Sequence, residues 1–197
     1  VLDRWAGVFV RASLSSNGAE GNDDSWWPAI TPDARYVAFI SKAGNFGVLG
    51  GIAQVYVRDL QAGTTECVSV SSAGVPANGD CAAPAISQDG RYVAFASKAN
   101  NLVDGDTNGT WDVFLHDRTT GQTVRVSEAS AKQEGNGSSG WCVYNGQVCY
   151  GVAISADGRF VAFVSEASNL VEDDTKGHPD VFVRDMQTGE IKRVSVS

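Results

Sequence analysis

Short apolar segments alternate with turn residues along this chain, and one pattern recurs three times. Each copy has a short strand ending in Ile, an Asp-Gly or Asp-Ala turn, and a strand rich in Val, Phe and Tyr. A third strand ending in Asp and a fourth containing a Ser follow. Four short strands joined by turn residues are typical of a propeller blade. The first two strands span residues 29–41, 85–97 and 153–165, the third strands 55–59, 113–117 and 181–185, and the serines are Ser69, Ser127 and Ser195.

The N-terminal residues fit the same repeat, since Ser13 precedes Ala29 by 16 residues, as Ser69 precedes Ala85. Residues 9–14 are therefore predicted to be the fourth strand of a blade whose other strands are missing. The predicted fold is all-β: three complete four-stranded antiparallel blades, an orphan strand and an incomplete ring. The single domain is divided into residues 1–27 (orphan strand and loop), 28–83, 84–150 and 151–197 (one blade each).

The four cysteines are predicted to form two disulfides. Asn145-Gly146 is a strong two-residue hairpin signal, and a turn centred there places Cys142 opposite Cys149. This hairpin is an insertion between blades, and Cys67 with Cys81 would be the second pair. Four cysteines allow three connectivities, and four buried free thiols are the alternative. Disulfides would indicate an oxidising, extracellular or cell-surface location, and a sequence that begins at Val1 fits a mature or excised product.

The repeated motifs resemble the TolB-type, WD-like propeller repeats of bacterial secreted and envelope proteins. The similarity lies in Asp-Gly-Arg-Tyr-Val-Ala-Phe, Asn-Leu-Val with Asp-Thr-Asn-Gly, and Arg-Asp with Thr-Gly, and it covers nearly the whole chain. The resemblance implies a propeller that acts as a binding platform, a scaffold or an accessory domain of a hydrolase. The cysteine hairpin and the incomplete first unit depart from the family pattern.

An arc of three blades leaves apolar faces uncovered, because propellers close with 4–8 blades. We expect self-association through the terminal blades, into a ring of two copies or a head-to-tail filament, unless the chain is part of a longer protein. The orphan strand would pair with a neighbouring chain or cover its own. The predicted partner contacts are Phe9, Val10, Leu14, Trp26, Trp111 and Trp141.

One loop has the spacing of a calcium site. Oxygen-bearing residues lie at positions 1, 3, 5 and 9 of residues 104–112, with a glycine at position 6 and a backbone carbonyl at position 7. The alternative is a hairpin stabilised by Asx turns without an ion. In the next blade Lys176 stands at position 5, which disfavours a metal there. The predicted Ca²⁺ ligands are Asp104, Asp106, Asn108, Thr110 and Asp112.

Tryptophans in loops can stack on sugars or anchor a protein partner, so a glycan or protein ligand is the alternative function. Trp27 is expected to pack between blades instead. No motif typical of catalysis is present: the only histidines are His116 and His178, and a Gly-x-Ser-x-Gly or His-Glu-x-x-His sequence is absent. A net charge of −8 disfavours nucleic acid, and no apolar run is long enough to span a bilayer. We therefore expect a non-catalytic structural or interaction protein, with an accessory propeller of a larger hydrolase as a further alternative.

Overall fold

The computed structural model describes residues 1–3, 7–48, 50–144, 147–174 and 178–195, without the side chains of Asp3 and residues 142–150. The described chain is all-β, with one short 3₁₀ turn at Gly44–Phe46. Among the described residues no helix is long and apolar enough to cross a membrane. The strands are β1 (Leu2–Asp3), β2 (Val8–Phe9), β3 (Ser25–Ile30), β4 (Tyr36–Ser41), β5 (Gln54–Asp59), β6 (Thr64–Cys67), β7 (Cys81–Ile86), β8 (Tyr92–Ser97), β9 (Asp112–Asp117), β10 (Gln122–Arg125), β11 (Trp141–Tyr144), β12 (Gln147–Tyr150), β13 (Val152–Ile154), β14 (Phe160–Ser165), β15 (Asp180–Asp185) and β16 (Ile191–Arg193).

Three four-stranded antiparallel sheets confirm the predicted blades: blade 1 is β3–β6, blade 2 is β7–β10 and blade 3 is β13–β16. Blade 1 begins at Ser25 and blade 2 at Cys81, three residues before the predicted boundaries at residues 28 and 84. A register shift between Trp26 and Ala29, repeated between Ala82 and Ala85, lets each first strand continue past an irregular point.

The repeated serines lie two residues after the fourth strands rather than inside them, a correction to the predicted strand ends. Their hydroxyls nevertheless extend the pairing with the third strand. The N–H groups of Val55, Val113 and Val181 donate to the side chains of Ser69, Ser127 and Ser195 at 2.9, 3.0 and 3.0 Å.

The Asp-Gly-Arg and Arg-Asp motifs form one structural unit in every blade. In blade 2, Asp89 accepts hydrogen bonds from the Ser87 hydroxyl and the Arg91 N–H, which fixes the turn between the first two strands. The Arg91 guanidinium then donates to both carboxylate oxygens of Asp117 at 2.9 and 2.7 Å. Since Asp117 also accepts from the Thr119 N–H, this unit ties together the two turns at one edge of the blade. Equivalent pairs join Arg35 to Asp59 and Arg159 to Asp185.

The cores lie between successive blades. One face of blade 1 (Ala38, Val55 and neighbours) packs against Phe95 and Phe114 of blade 2. The opposite face of blade 2 packs against Phe163 and Phe182 of blade 3. The apolar residues on the two faces of the blade 2 strands thus serve two different interfaces, because side chains alternate along a strand.

The N-terminal segment differs from the predicted strand at residues 9–14. Only Phe9 of it lies in a strand, β2, which pairs with β1 rather than with a blade. The repeat alignment itself is confirmed by later residues, because Leu14 bridges Glu20 as Val70 bridges Pro76 and Glu128 bridges Glu134.

Contacts of this segment are with its own chain. Arg58 of blade 1 donates to the Ser15 carbonyl at 3.1 Å, and Ser16 exchanges hydrogen bonds with the backbone of Thr65. The residues that follow the predicted strand therefore contact the first blade, and pairing of residues 9–14 with a neighbouring chain stays a prediction.

Candidate interaction surfaces

The acidic loop predicted to bind calcium surrounds a guanidinium group. The Nη1 atom of Arg125 lies 3.8 Å from Asp106, 3.9 Å from Asp112 and 3.0 Å from Glu134. Sequence analysis missed Arg125 and Glu134, which reach the loop from β10 and from the segment after it. The Asn108 amide nitrogen donates to Asp112 at 2.8 Å, and its oxygen accepts from the Thr110 N–H at 2.9 Å.

This arrangement gives the carboxylates an internal counter-ion. Burial, together with the nearby charges of Asp112 and Glu134, raises the pKa of Asp106 to about 6, although Arg125 opposes the shift. The buried Thr110 hydroxyl has no hydrogen-bond partner. No group of three or more His, Cys, Asp or Glu side chains in the described part of the chain is placed to hold a metal. Arg125 occupies the position of a counter-ion among these carboxylates, so Ca²⁺ would have to displace its guanidinium, and the calcium site stays a prediction.

Blade 3 repeats the pattern, which shows what signal could have identified Arg125. Arg193 pairs with Asp174 at 3.0 Å and with Asp180 at 3.5 Å, in positions equivalent to Arg125, Asp106 and Asp112. Blade 1 has Cys67 in place of the arginine and Gln54 in place of the second acid. The acids and the arginine occur together or not at all, which indicates an ion-pair cluster within the blade.

The cysteines Cys67 and Cys81 are unbonded thiols in the structure, so the predicted disulfide between them is not formed there. Cys67 lies 3.5 Å from the Ser69 hydroxyl, and the Cys81 thiol donates to the Ser97 hydroxyl at 3.4 Å. Burial raises the pKa of Cys81 to about 12, which keeps this thiol protonated. The hairpin register places Cys142 opposite Cys149 as predicted. Their side chains and the turn at 145–146 lie outside the described residues, so the bond remains a prediction.

The four tryptophans in the described part of the chain form two pairs. Trp111 and Trp141 are stacked with ring centroids 4.7 Å apart and planes within 6°, joining the loop before β9 to the cysteine hairpin. Trp26 and Trp27 meet edge to face at 6.4 Å and pack against the core between blades 1 and 2. The expected packing of Trp27 is confirmed. All four are half-buried, and a role of Trp26, Trp111 and Trp141 in partner contact stays a prediction.

The outer face of blade 3 is the clearest uncovered apolar surface. Val181 is 38% exposed, whereas Val55 and Val113 at the equivalent positions of blades 1 and 2 are 0% exposed. Its neighbours lie around a shallow groove of about 220 Å³. Ala162 and Val164, which line this groove, are half-buried, whereas their counterparts in blades 1 and 2 are fully buried, because no described residues pack over this face.

The opposite end of the arc is covered. Phe39 and Tyr56 on the first face of blade 1 are 3% and 1% exposed, because Phe46 packs edge-on against both rings. In the N-terminal segment Phe9 is 80% and Val10 44% exposed, while Leu14 is half-buried. The two ends of the arc therefore differ in kind: one is capped and followed by an apolar hairpin, and the other is open.

His116 has a structural environment. It is buried, and its Nδ1 atom lies 2.9 Å from the Thr123 hydroxyl, while burial lowers its pKa. Buried Arg184, on the same strand register in blade 3, donates to the Glu128 carbonyl and lies 3.2 Å from the Glu128 carboxylate. Both side chains take part in contacts at the blade edges, which gives them structural roles.

Comparisons with known proteins agree with this architecture. No family model and no curated sequence matches the chain. Among solved structures, the chain is similar to a protein assigned as TolB from Agrobacterium tumefaciens (TM-score 0.52, 16% identity, 89% of this chain and 46% of that one). It is also similar to the β-propeller domain of the Trilobed protease from Pyrococcus furiosus (0.51, 12%, 87% and 42%) and to a puromycin-hydrolyzing peptidase from Mycobacterium tuberculosis (0.51, 15%, 87% and 21%).

These likenesses confirm the TolB-like propeller resemblance at the level of the fold. The chain spans less than half the length of each of these structures. At such identities the comparisons show a propeller module and leave its activity and partners to be proposed.

Proposed function

We propose that this chain is a non-catalytic, extracellular propeller module that assembles with a second copy of itself through the open face of blade 3. The observation that carries the proposal is the exposure of Val181 at a position that is fully buried in blades 1 and 2. In blades 1 and 2 the face that carries this valine is buried. In blade 3 the same face is exposed. Burying such a face removes apolar surface from water, which drives association.

Length supports a second copy as the occupant. The chain matches 46% of the TolB-assigned structure and 42% of the Trilobed protease propeller, so each has room for a second arc of similar size. The exposed β1–β2 hairpin supplies further apolar surface at the other end of the arc, in Phe9 and Val10. Two three-bladed arcs would make a ring within the usual 4–8 blades, and head-to-tail contacts that do not close would make a filament.

Analytical ultracentrifugation of the purified chain tests the proposal. We expect the wild-type protein to sediment as a dimer or larger species and Val181→Asp to sediment as a monomer, because a buried unpaired carboxylate opposes association. Val75→Asp is the matched control, since Val75 is 51% exposed on a loop away from this face.

A wild-type protein that remains monomeric over a wide concentration range would disprove the assembly role. Circular dichroism of both variants establishes that they keep the all-β fold. Dissociation by Val75→Asp as strongly as by Val181→Asp would also contradict the proposal, because the effect would then follow from added charge alone.

A second candidate function is an accessory propeller of a larger hydrolase. It is supported by the likeness to a puromycin-hydrolyzing peptidase, of which this chain matches only 21%. In that case the open face of blade 3 would contact a further blade of the same polypeptide. The sequence of the complete gene distinguishes the two candidates, since only the second requires a catalytic domain in the same chain.

A further inference from the structure

A groove of about 450 Å³ lies between blades 2 and 3. It opens at the edge where the Asp-Gly-Arg turns lie. Tyr92 and Val124 of blade 2 and Met186 of blade 3 form apolar walls, and polar and charged groups including Asp117 and Asp157 also line the groove. Val124 is 42% exposed there.

The equivalent position between blades 1 and 2 is filled by the chain itself. Arg118 lies over the ring of Tyr36, with its guanidinium carbon 4.7 Å from the ring centroid. The same guanidinium pairs with Glu66 and donates to the carbonyl oxygen of Gly90. One arginine therefore makes a stacking contact, an ion pair and a backbone hydrogen bond in this cleft.

Two substitutions between the repeats empty the second cleft. Met186 stands where Arg118 stands one blade earlier, and Val124 stands where Glu66 stands. The rest of the cleft is kept. Tyr92 is equivalent to Tyr36, and Gly158 is equivalent to Gly90.

The two glycines show how closely the clefts match. A Cβ atom on Gly90 would lie 2.2 Å from the Tyr36 ring, and one on Gly158 would lie 2.2 Å from the Tyr92 ring. Both have positive φ, of 73° and 75°. The backbone therefore lies against the aromatic ring in both places, and the second cleft lacks the cation and the carboxylate that Arg118 and Glu66 supply in the first.

Charge at the groove favours a cation. Asp117 is neutralised by Arg91, and Arg159 is paired with Asp185, which leaves the exposed carboxylate of Asp157 in excess. Hydrogen bonds from Ser155 and from the Arg159 N–H lower the pKa of Asp157, so it is ionised at neutral pH. Tyr92 has one described guanidinium over its ring, that of Arg91 at 4.7 Å, whereas Tyr36 has both Arg35 and Arg118.

We propose that the groove between blades 2 and 3 binds an arginine side chain presented by a partner polypeptide, which stacks on Tyr92 and donates to the carbonyl oxygen of Gly158. The internal Arg118 is the template for this contact. The proposal is independent of self-association through blade 3, because the groove lies on the other side of that blade.

Met186 offers a direct reporter, since it is the only methionine in the sequence. Protein labelled with ¹³C at the methionine methyl group gives one resonance, which is followed during titration with the capped tripeptide acetyl-Gly-Arg-Gly-amide. We expect saturable shifts with this probe and affinity weaker by about fivefold or more for the citrulline analogue, which keeps the shape but lacks the charge. Equal binding of the two peptides would overturn the proposal.

Variants test the geometry. Val124→Glu restores the carboxylate that Glu66 supplies in the first cleft, and we expect affinity for the arginine peptide to rise about threefold. Val75→Glu adds the same charge on a distant exposed loop and is expected to have no effect. Tyr92→Leu should abolish the saturable shifts while Tyr92→Phe retains them. An unchanged affinity in Val124→Glu would contradict recognition of a guanidinium. So would equally tight binding of a third peptide, acetyl-Gly-Lys-Gly-amide, in which lysine replaces the arginine.

Discussion

Blades 2 and 3 have nearly the same sequence pattern and the same internal contacts, yet blade 2 is enclosed on both faces and blade 3 on one. Val113 is completely buried, and Val181 at the equivalent position is 38% exposed. Within the blades, Arg91 pairs with Asp117 as Arg159 pairs with Asp185, both at 2.7 Å. The comparison shows that the repeat sequence determines the inside of a blade, while its environment depends on how many blades follow.

The largest expected effect concerns the valines at the two blade faces. Val113→Ala should destabilise the chain by about 2 kcal/mol, because it removes two buried methyl groups and leaves a cavity. Val181→Ala in the monomer should cost about 0.5 kcal/mol or less, since its side chain is partly in water. Urea unfolding at low protein concentration measures both.

The difference between the two variants in free energy of unfolding also depends on whether the protein is associated. At concentrations where the protein associates, we expect the cost of Val181→Ala to increase. If it stays small at every concentration while the protein is oligomeric, the interface lies elsewhere.

The next prediction concerns the Arg–Asp ion pair that is present in each of the two blades. The hydrogen bonds from the Arg91 guanidinium hold the pKa of Asp117 well below its usual range. The Asp117 carboxylate therefore stabilises the folded state at pH values above its unfolded-state pKa. This stabilisation is lost as the pH falls below about 4. Asp117→Asn should cost about 1 kcal/mol at pH 7 and less in acid.

Asp185→Asn should show the same pH dependence, because its carboxylate is held by Arg159 in the same way and its pKa is also lowered. Thermal melts of both variants between pH 3 and pH 7 measure this. A pH dependence in only one of the two would show that the neighbouring blade, and not the local motif, controls the pair.

An effect of similar size but opposite sign is expected at Asp106. The pKa of Asp106 is raised from 3.8 to about 6. Between these two pH values the folded state therefore holds a proton that the unfolded state has released. Stability from this group is fully present below the unfolded-state pKa and falls as the pH rises through about 6. Asp106→Asn should therefore stabilise the protein by about 1 kcal/mol at pH 8 and have little effect near pH 4. A destabilised variant at pH 8 would show that the attraction to Arg125 outweighs burial.

The smallest expected effect is calcium binding to the wild-type loop. Because Arg125 lies among the same carboxylates, Ca²⁺ must displace its guanidinium, and we expect weak binding by calorimetry. Arg125→Leu should strengthen binding, and Asp106→Ala should remove it. Equal heats for wild type and Asp106→Ala would exclude these residues as ligands.

Much of the interior of each blade followed from sequence, because its contacts are local. The turns at Asp33, Asp89 and Asp157 were predicted from their residue types, and each carboxylate accepts the N–H two residues on. The register of the cysteine hairpin followed from Asn145-Gly146 for the same reason. Such signals lie within a few residues of one another and repeat three times.

The contacts that sequence analysis missed join residues far apart in the chain. Arg125 reaches Asp106 from another strand, and Arg118 of blade 2 reaches Glu66 and Tyr36 of blade 1. No local pattern distinguishes such an arginine from a solvated one, since its partners are set by the twist and spacing of the sheets. The prediction of a strand at residues 9–14 was wrong for a similar reason. A strand forms only where the edge of another strand supplies backbone hydrogen bonds.

The sequence by itself determined that this chain forms three four-stranded blades, because strand alternation and turn chemistry act over short distances. Only the tertiary structure decided which apolar faces are buried, which arginine fills which cleft and where one cleft is left open. The physical reason is that burial and pairing depend on the elements that come together in space, so identical motifs in blades 2 and 3 have different surroundings.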